Sequence, residues 1–141
     1  MSPVLYAAAI IVPIAVAVIA AIAFFGQRHL GKHRGVTREE FIRTFAGSDV
    51  DSELAGAVFD YYKSQVRAKE FSVAPDDDYE RVLLAGDEEI DDDAEALMKK
   101  LGLRRPPDYM TARSETRIRT IRDMVLWLNW VRTHQPGTPR S

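Results

Sequence analysis

Carboxylates are the most concentrated reactive groups in this chain of 141 residues. Residues 76–95 contain eleven Asp and Glu against the single Arg81, and the aspartates include two runs of three, 76–78 and 91–93. Clustered carboxylates bind Ca²⁺ when the backbone alternates them around the ion, as in an EF-hand loop with Gly at its sixth position. Here Arg81 or Asp92 would take the place of that glycine. We therefore predict no metal site in this segment.

Histidine and cysteine offer little further chemistry. His29 and His33 have the spacing of a helical metal-binding pair, but no third ligand lies near them in sequence, and their basic surroundings favour lipid headgroups. The chain has no Cys, no glycine-rich phosphate loop and no nucleophile elbow. Carboxylate pairs need a pocket that separates their pKa values, and acids this dense are expected to be solvated. We predict no catalytic residue, no cofactor and no enzymatic activity.

A basic segment follows the acidic one. Residues 99–122 hold eight Lys and Arg against two acids. Two segments of opposite charge can attract a partner, pair with each other inside the fold, or remain solvated. Residues 36–141 carry a net charge of −5, which argues against nucleic acid and leaves an unidentified protein as the expected partner. The residues predicted to bind it are Asp87, Glu88, Asp91, Asp92, Asp93, Glu95, Arg104 and Arg105.

The elements that must position these charges are predicted to be helices, giving an all-α fold with a four- to five-helix domain over residues 37–133. Apolar residues recur at helical spacing, and helix caps and glycines mark the ends, with Gly102 ending the acid-led helix. Tyr61 and Tyr62 belong to the apolar stripe of the second helix. The predicted core residues of the last helix are Ile121, Met124, Val125, Leu128 and Val131. Capping pairs are predicted at Thr37 with Glu40, at Asp77 with Glu80 and at Thr120 with Asp123. The predicted helices run from 37 to about 47, from 52 to about 69, over 77–86, over 87–101 and from Ser114 or, preferably, Thr120 to 133. Residues 134–141 are predicted to fray.

The N-terminal segment is predicted to be a membrane anchor over residues 1–27. Its 22 residues Val4–Phe25 carry no charge, enough for a helix to cross a hydrocarbon core of roughly 30 Å. A cleaved signal peptide is the alternative, but no Lys or Arg precedes the apolar run and the run is long for one. A basic linker, 28–36, follows the anchor. Its cations are expected to lie at the membrane surface: Arg28, Lys32 and Arg34.

The positive-inside rule then places residues 37–133 in the cytoplasm and the N-terminus outside. The chain is expected to be a single-pass protein of the bacterial inner membrane, with lipid as a second partner.

The order of elements resembles the acyl-carrier-protein fold. A helix, a loop, an acid-led helix ending in Leu-Gly-Leu and a last helix beginning at Thr120 follow one another, and residues 86–97 resemble small acyl-carrier-like bacterial proteins of unknown function. Carrier proteins attach phosphopantetheine to a Ser in an Asp-Ser-Leu motif at the start of the second helix. Here residues 91–93 are aspartates, and Ser52 lies on the preceding helix. The resemblance implies an acidic helix that docks on basic surfaces, without the carrier serine.

Three hypotheses follow. The first, which we favour, is a membrane-anchored, non-catalytic module that docks a protein partner through the acidic helix. The second is a membrane-tethered carrier-like protein or an accessory of lipid or acyl metabolism. The third is an enzyme whose site has no recognisable motif.

Overall fold

A computed structural model describes residues 3, 10–21, 36–66, 72–83 and 85–137, and every structural statement below refers to them. These residues form helices joined by turns and extended connections, with no strand, so the predicted all-α class is confirmed. Residues 10–21 are helical and are called α1. The remaining helices are α2 Arg38–Arg43, α3 Ser52–Gln65, α4 Asp87–Lys100, α5 Tyr109–Glu115 and α6 Ile121–Thr133.

The helix starts follow from local side-chain chemistry. The hydroxyl of Thr37 accepts the backbone N–H of Glu40, whose carboxylate accepts the N–H of Thr37 in return. Thr120 and Asp123 form the same reciprocal pair before α6. Such boxes satisfy amide groups that the first helical turn leaves without partners. These two predicted capping pairs are confirmed, whereas the third, Asp77 with Glu80, starts no helix.

The core lies where α3, α4 and α6 pack against one another, with α2 covering α3. The Phe41 and Phe59 rings join α2 to α3 with 5.4 Å between their centroids. The predicted core residues of α6 are all buried: Ile121, Met124, Val125, Leu128 and Val131. Since each buried large apolar side chain contributes about 1.5–3 kcal/mol, this shared interface is the main source of stability.

The helix predicted over 77–86 is wrong. Residues 79–83 form turns, and the preceding backbone pairs with the entry to α6: the Tyr79 N–H donates to the Arg119 oxygen at 2.9 Å, and the Ile121 N–H donates to the Asp77 oxygen at 3.1 Å. The Asp77 carboxylate accepts the Ala74 N–H at 2.8 Å instead of capping a helix. Backbone hydrogen bonds to residues distant in sequence therefore replace the local hydrogen bonds of the helix that the capping pattern predicts.

Helix α5 lies before the preferred start of the last helix at Thr120, in a stretch where no separate helix is predicted. Only Tyr109 is buried within it, so its sequence lacks the apolar repeat that predicts helices. The Tyr109 ring packs on Trp127 of α6 with 5.3 Å between centroids, and this contact holds the short helix in place. The part of the domain that the structure describes therefore has five helices, α2–α6, but one differs from the predicted set.

Two helix ends define the limits of the bundle. Helix α3 ends at Gln65 rather than near Lys69, because Val66 is already extended. After α4, Gly102 has φ +67°, and the Leu103 N–H donates to the Met98 oxygen at 2.9 Å. This glycine-dependent reversal closes the helix as predicted for Gly102.

About half of the predicted membrane anchor lies outside the described residues. Within the part of the chain that the structure describes, no helix combines the length and apolar character that crossing a bilayer requires. Helix α1 is exposed along all of residues 10–21. The linker residues Arg28, Lys32 and Arg34, with His29 and His33, also lie outside the described residues.

Candidate functional site

The acidic residues of α4 surround one buried stripe. Ile90, Ala94, Leu97 and Met98 face the core. Because a helix turns once every 3.6 residues, the intervening acids project around the remaining circumference. Six of the seven are exposed, and Asp93 is half-buried. The same helix therefore supplies both a core surface and an acidic surface.

Asp93 connects α4 to α3 through two tyrosines. The Tyr61 hydroxyl donates to Oδ1 of Asp93 at 2.7 Å, and the Tyr62 hydroxyl donates to Oδ2 at 3.0 Å. Tyr79 donates in turn to the Tyr62 hydroxyl oxygen at 2.6 Å. Tyr62 and Tyr79 are each 1% exposed, so this chain of hydrogen bonds runs into the core. Charge-assisted bonds of this kind are among the stronger ones in proteins.

The surroundings of this network shift the tyrosine pKa values upward. Burial, followed by the hydrogen bond to Asp93 and its negative charge, raises the pKa of Tyr61 to about 12. Burial is also the largest cause that raises the pKa of Tyr62 and of Tyr79 well above the usual phenol range. All three phenols therefore remain protonated donors at neutral pH, as the geometry requires.

Other acids of the segment pair with the basic segment. Arg113 donates to Oδ1 of Asp91 from Nε at 2.8 Å and from Nη2 at 2.7 Å. Arg105 pairs with Glu95, and Nε of Arg122 lies 2.9 Å from Oδ1 of Asp76. The acidic and basic segments thus partly neutralise each other within the fold, which the sequence left open. The partners are substantially exposed apart from Arg113, and exposed pairs typically contribute at most about 1 kcal/mol.

The two arginines predicted to bind a partner lie beyond the C-terminal end of α4. The backbone N–H of Arg104 donates to Oε1 of Gln135 at 2.9 Å, while its side chain is exposed. The Arg105 guanidinium reaches back to Glu95 and lies 5.0 Å from the centroid of the Tyr109 ring. Arg105 therefore has two partners within the fold, and Arg104 remains more accessible.

Three acids of α4 keep their charge available to solvent. Asp87, Glu88 and Asp92 are exposed and form no ion pair with any described residue. We call Asp87, Glu88 and Asp92 the free acidic surface. Glu89 differs, because its Oε2 accepts the Gly86 N–H at 3.0 Å and so caps the helix. Negative charge near a helix N-terminus is favoured by the helix dipole, which allows this crowding.

The described residues include no group of three His, Asp or Glu placed to hold a metal ion. His134 is the one histidine among them; it stacks on Trp130 with 4.4 Å between ring centroids, and its Nδ1 lies 2.8 Å from the Trp130 carbonyl oxygen. Both contacts are with Trp130 of α6, so they hold the ring at the C-terminal end of a different helix from the acidic one. The features of the site are therefore hydrogen bonding and surface charge.

No protein-family model matches the chain, and neither a curated protein nor a solved structure shows significant similarity to it. The interpretation of the site therefore rests on this chain's own geometry.

The tyrosine network is the feature that sequence reasoning missed. Tyr61 and Tyr62 were predicted as part of the apolar stripe of α3, and Asp93 as one of many surface acids. A signal was present, because Asp93 follows Ile90 by three residues and precedes Ala94, which places it at the border of the buried stripe. The partner on α3 had no comparable signal, since it depends on how two helices pack.

Proposed function

We propose that this protein is a membrane-anchored, non-catalytic helical module that docks a basic protein surface through the free acidic surface of α4. The observation that carries the proposal is the contrast within α4. Asp91 and Glu95 have arginine partners, whereas Glu88 and Asp92 have none among the described residues. Arg105 and Arg113 lie near α4 in the same domain, yet they pair with Glu95 and Asp91.

The repulsion between two of these acids opposes folding, which favours a role outside folding. Glu88 and Asp92 are four residues apart, so their carboxylates are neighbours on one helix face. Like charges at this spacing destabilise a helix by about 0.2–0.5 kcal/mol. A partner's Lys or Arg would remove that repulsion and accelerate encounter, because a field of one sign steers opposite charges.

Anchoring is the second part of the proposal. Helix α1 has no charged residue, and its large apolar side chains are between 51% and 66% exposed. Apolar surface this continuous is costly in water and favours lipid as its surroundings. With Arg28, Lys32 and Arg34 on the cytoplasmic side, the domain would lie close beneath the bilayer of the inner membrane. Tethering raises the effective concentration of the domain there, so weak docking becomes sufficient.

Affinity capture with the full chain in a non-ionic detergent tests the docking proposal. The variants Glu88→Lys and Asp92→Lys reverse exposed, unpaired charges, and Glu39→Lys and Glu53→Lys make the same change near the starts of α2 and α3. We expect a set of captured proteins that added salt releases, that the α4 variants lose and that the controls keep. Equal capture by all four variants would contradict the proposal.

A reversal of Asp91, Asp92 and Asp93 together is less informative. Asp93 holds two tyrosines and Asp91 holds Arg113, so this variant would disturb packing as well as surface charge. Loss of a partner could then arise from misfolding.

The second candidate is a carrier-like accessory of lipid or acyl metabolism. The order of a long helix, a loop, an acid-led helix, a short helix and a last helix, with α3, α4 and α6 mutually packed, supports the resemblance to acyl carrier proteins. Helix α4 contains no Ser, and Ser52 lies at the start of α3. The intact mass of protein purified from its native membrane separates the candidates. A docking module has no added pantetheine arm, and a carrier has one.

A further inference from the structure

A cleft opens beside the N-terminal half of α4. Its walls are α4, α5, the extended residues 116–119 and the turn at 78–80, and its volume is about 650 Å³. Volumes of about 300–1,000 Å³ are typical of sites that enclose small ligands or side chains. The backbone bond between Tyr79 and Arg119 fixes the rear wall. The cleft is therefore built from three separate parts of the chain that the tertiary fold brings together.

The lining of the cleft includes apolar surface. Ile90, Ile118 and Tyr79 are almost fully buried and contribute to its walls. Met110 lies on the α5 side and is 68% exposed, the largest exposure among the described large apolar residues. Methionine is flexible and polarizable, so it adapts to apolar groups of different shape. An exposed Met beside buried apolar walls suits an apolar side chain inserted from outside.

The net charge of the cleft lining favours a partner segment of positive charge. Five carboxylates and three guanidinium groups line the cleft, so its net charge is negative. Arg113 is already engaged by Asp91 and by the Thr116 carbonyl oxygen, which Nη1 approaches to 2.8 Å. Asp87 forms no ion pair with a described residue and stands where the cleft meets the free acidic surface. A cation bound at this edge would contact the cleft and the free acidic surface together.

We propose that this cleft binds a peptide segment of the docking partner in which an apolar side chain is flanked by Lys or Arg. The apolar side chain lies against Met110 and Ile118, and a flanking cation pairs with Asp87. This inference rests on the proposed docking function and specifies the contact segment of the partner. It adds an apolar requirement that the free acidic surface alone does not impose.

The test uses the synthetic peptide Lys-Lys-Leu-Leu-Lys-Lys and the full chain in dodecyl maltoside, with empty micelles as the baseline. Affinity is measured by calorimetry at physiological ionic strength, where charges outside the site are screened. Two variants alter the cleft: Asp87→Lys reverses a charge, and Met110→Ser removes an apolar wall. We expect each to weaken binding by about tenfold, the equivalent of about 1.4 kcal/mol.

Matched controls separate the cleft from general surface charge. Glu53→Lys makes the same charge change at the exposed start of α3, outside the lining, and Leu126→Ser removes an exposed apolar side chain from α6. These controls should alter affinity by less than about threefold, since exposed charges outside the site are screened. Peptides with Ser replacing Leu, or Glu replacing Lys, should bind at least about tenfold more weakly than the parent peptide.

The outcomes distinguish this inference from the docking function beneath it. If Asp87→Lys and Glu53→Lys weaken peptide binding equally and Met110→Ser has no effect, the peptide binds through general surface charge, and only the cleft is overturned. If the wild-type chain fails to bind the peptide although the protein capture depends on Glu88 and Asp92, the inference is again overturned alone. If protein capture is also unchanged by the Glu88 and Asp92 variants, both proposals are overturned.

Discussion

Two adjacent aspartates of α4 have opposite surroundings. Asp93 accepts hydrogen bonds from two tyrosines and is half-buried, whereas Asp92 is exposed and has no ion-pair partner among the described residues. One residue along a helix is a rotation of about 100°, so neighbours in sequence project to different sides. The run of three aspartates is therefore not one feature. Its last carboxylate holds the bundle together, and its middle one is available to a partner.

Truncation of the buried stripe should have the largest effect. Leu97→Ala leaves a cavity where α4 meets the other helices, and we expect the free energy of unfolding to fall by about 2–5 kcal/mol. Leu126→Ala, at an exposed leucine of α6, should change it by no more than about 0.5 kcal/mol. Urea unfolding of the full chain in non-ionic detergent, followed by circular dichroism, measures both. Similar losses would contradict the assigned core.

The next effect separates the two aspartates directly. Asp93→Ala leaves the Tyr61 and Tyr62 hydroxyls without their acceptor, and an unsatisfied buried polar group costs about 1–3 kcal/mol. Asp92→Ala should change the free energy of unfolding by about 0.5 kcal/mol or less. The same urea titration compares them. Equal destabilisation by the two substitutions would remove the distinction between the two sides of α4.

Alkaline pH should weaken the hydrogen bonds between the tyrosines and Asp93. The pKa of Tyr61 rises from 10.0 to about 12 on folding, so the folded state favours the protonated phenol. Its stabilisation is complete below pH 10 and is lost as the pH rises toward about 12. Tyrosinate absorbance should therefore appear at higher pH in the folded chain than in urea, and Tyr61→Phe should remove one of the delayed tyrosines. Coincident titration curves would contradict the network.

The smallest expected effect concerns the ion pair of α4. Asp91 is 57% exposed at its side chain, so the coupling energy between Asp91 and Arg113 should be about 1 kcal/mol or less. A double-mutant cycle with Asp91→Ala and Arg113→Ala measures it and also cancels the loss of Arg113's bond to the Thr116 carbonyl. A coupling energy several times larger would mean that this ion pair, like the hydrogen bonds of Asp93, contributes substantially to the stability of the fold.

The sequence allowed prediction of features determined by nearby residues. The Thr37 and Thr120 capping boxes, the end of α4 at Gly102 and the buried face of α6 depend on spacings within a few residues, and all are confirmed. The free acids were also foreseen, because the charge run is visible in the sequence. Their division into paired and unpaired groups was not.

Features determined by long-range contact could not be predicted. The segment 77–86 has a capping pattern, but Tyr79 pairs its backbone with Arg119 and the helix does not form. Helix α5 depends on the packing of Tyr109 against Trp127, and the Asp93 network depends on the approach of α3 to α4. In each case tertiary packing decides between local alternatives of similar energy, as it commonly does when propensity is weak.

Photocrosslinking in native membranes tests the central claim most directly. A photoreactive amino acid placed at Asp92 samples the free acidic surface, and the same group at Glu39 samples an exposed position on α2. We predict a discrete protein adduct from position 92 that diminishes in high salt and is missing from position 39. No adduct at position 92, or the same adducts from both positions, would contradict docking through α4.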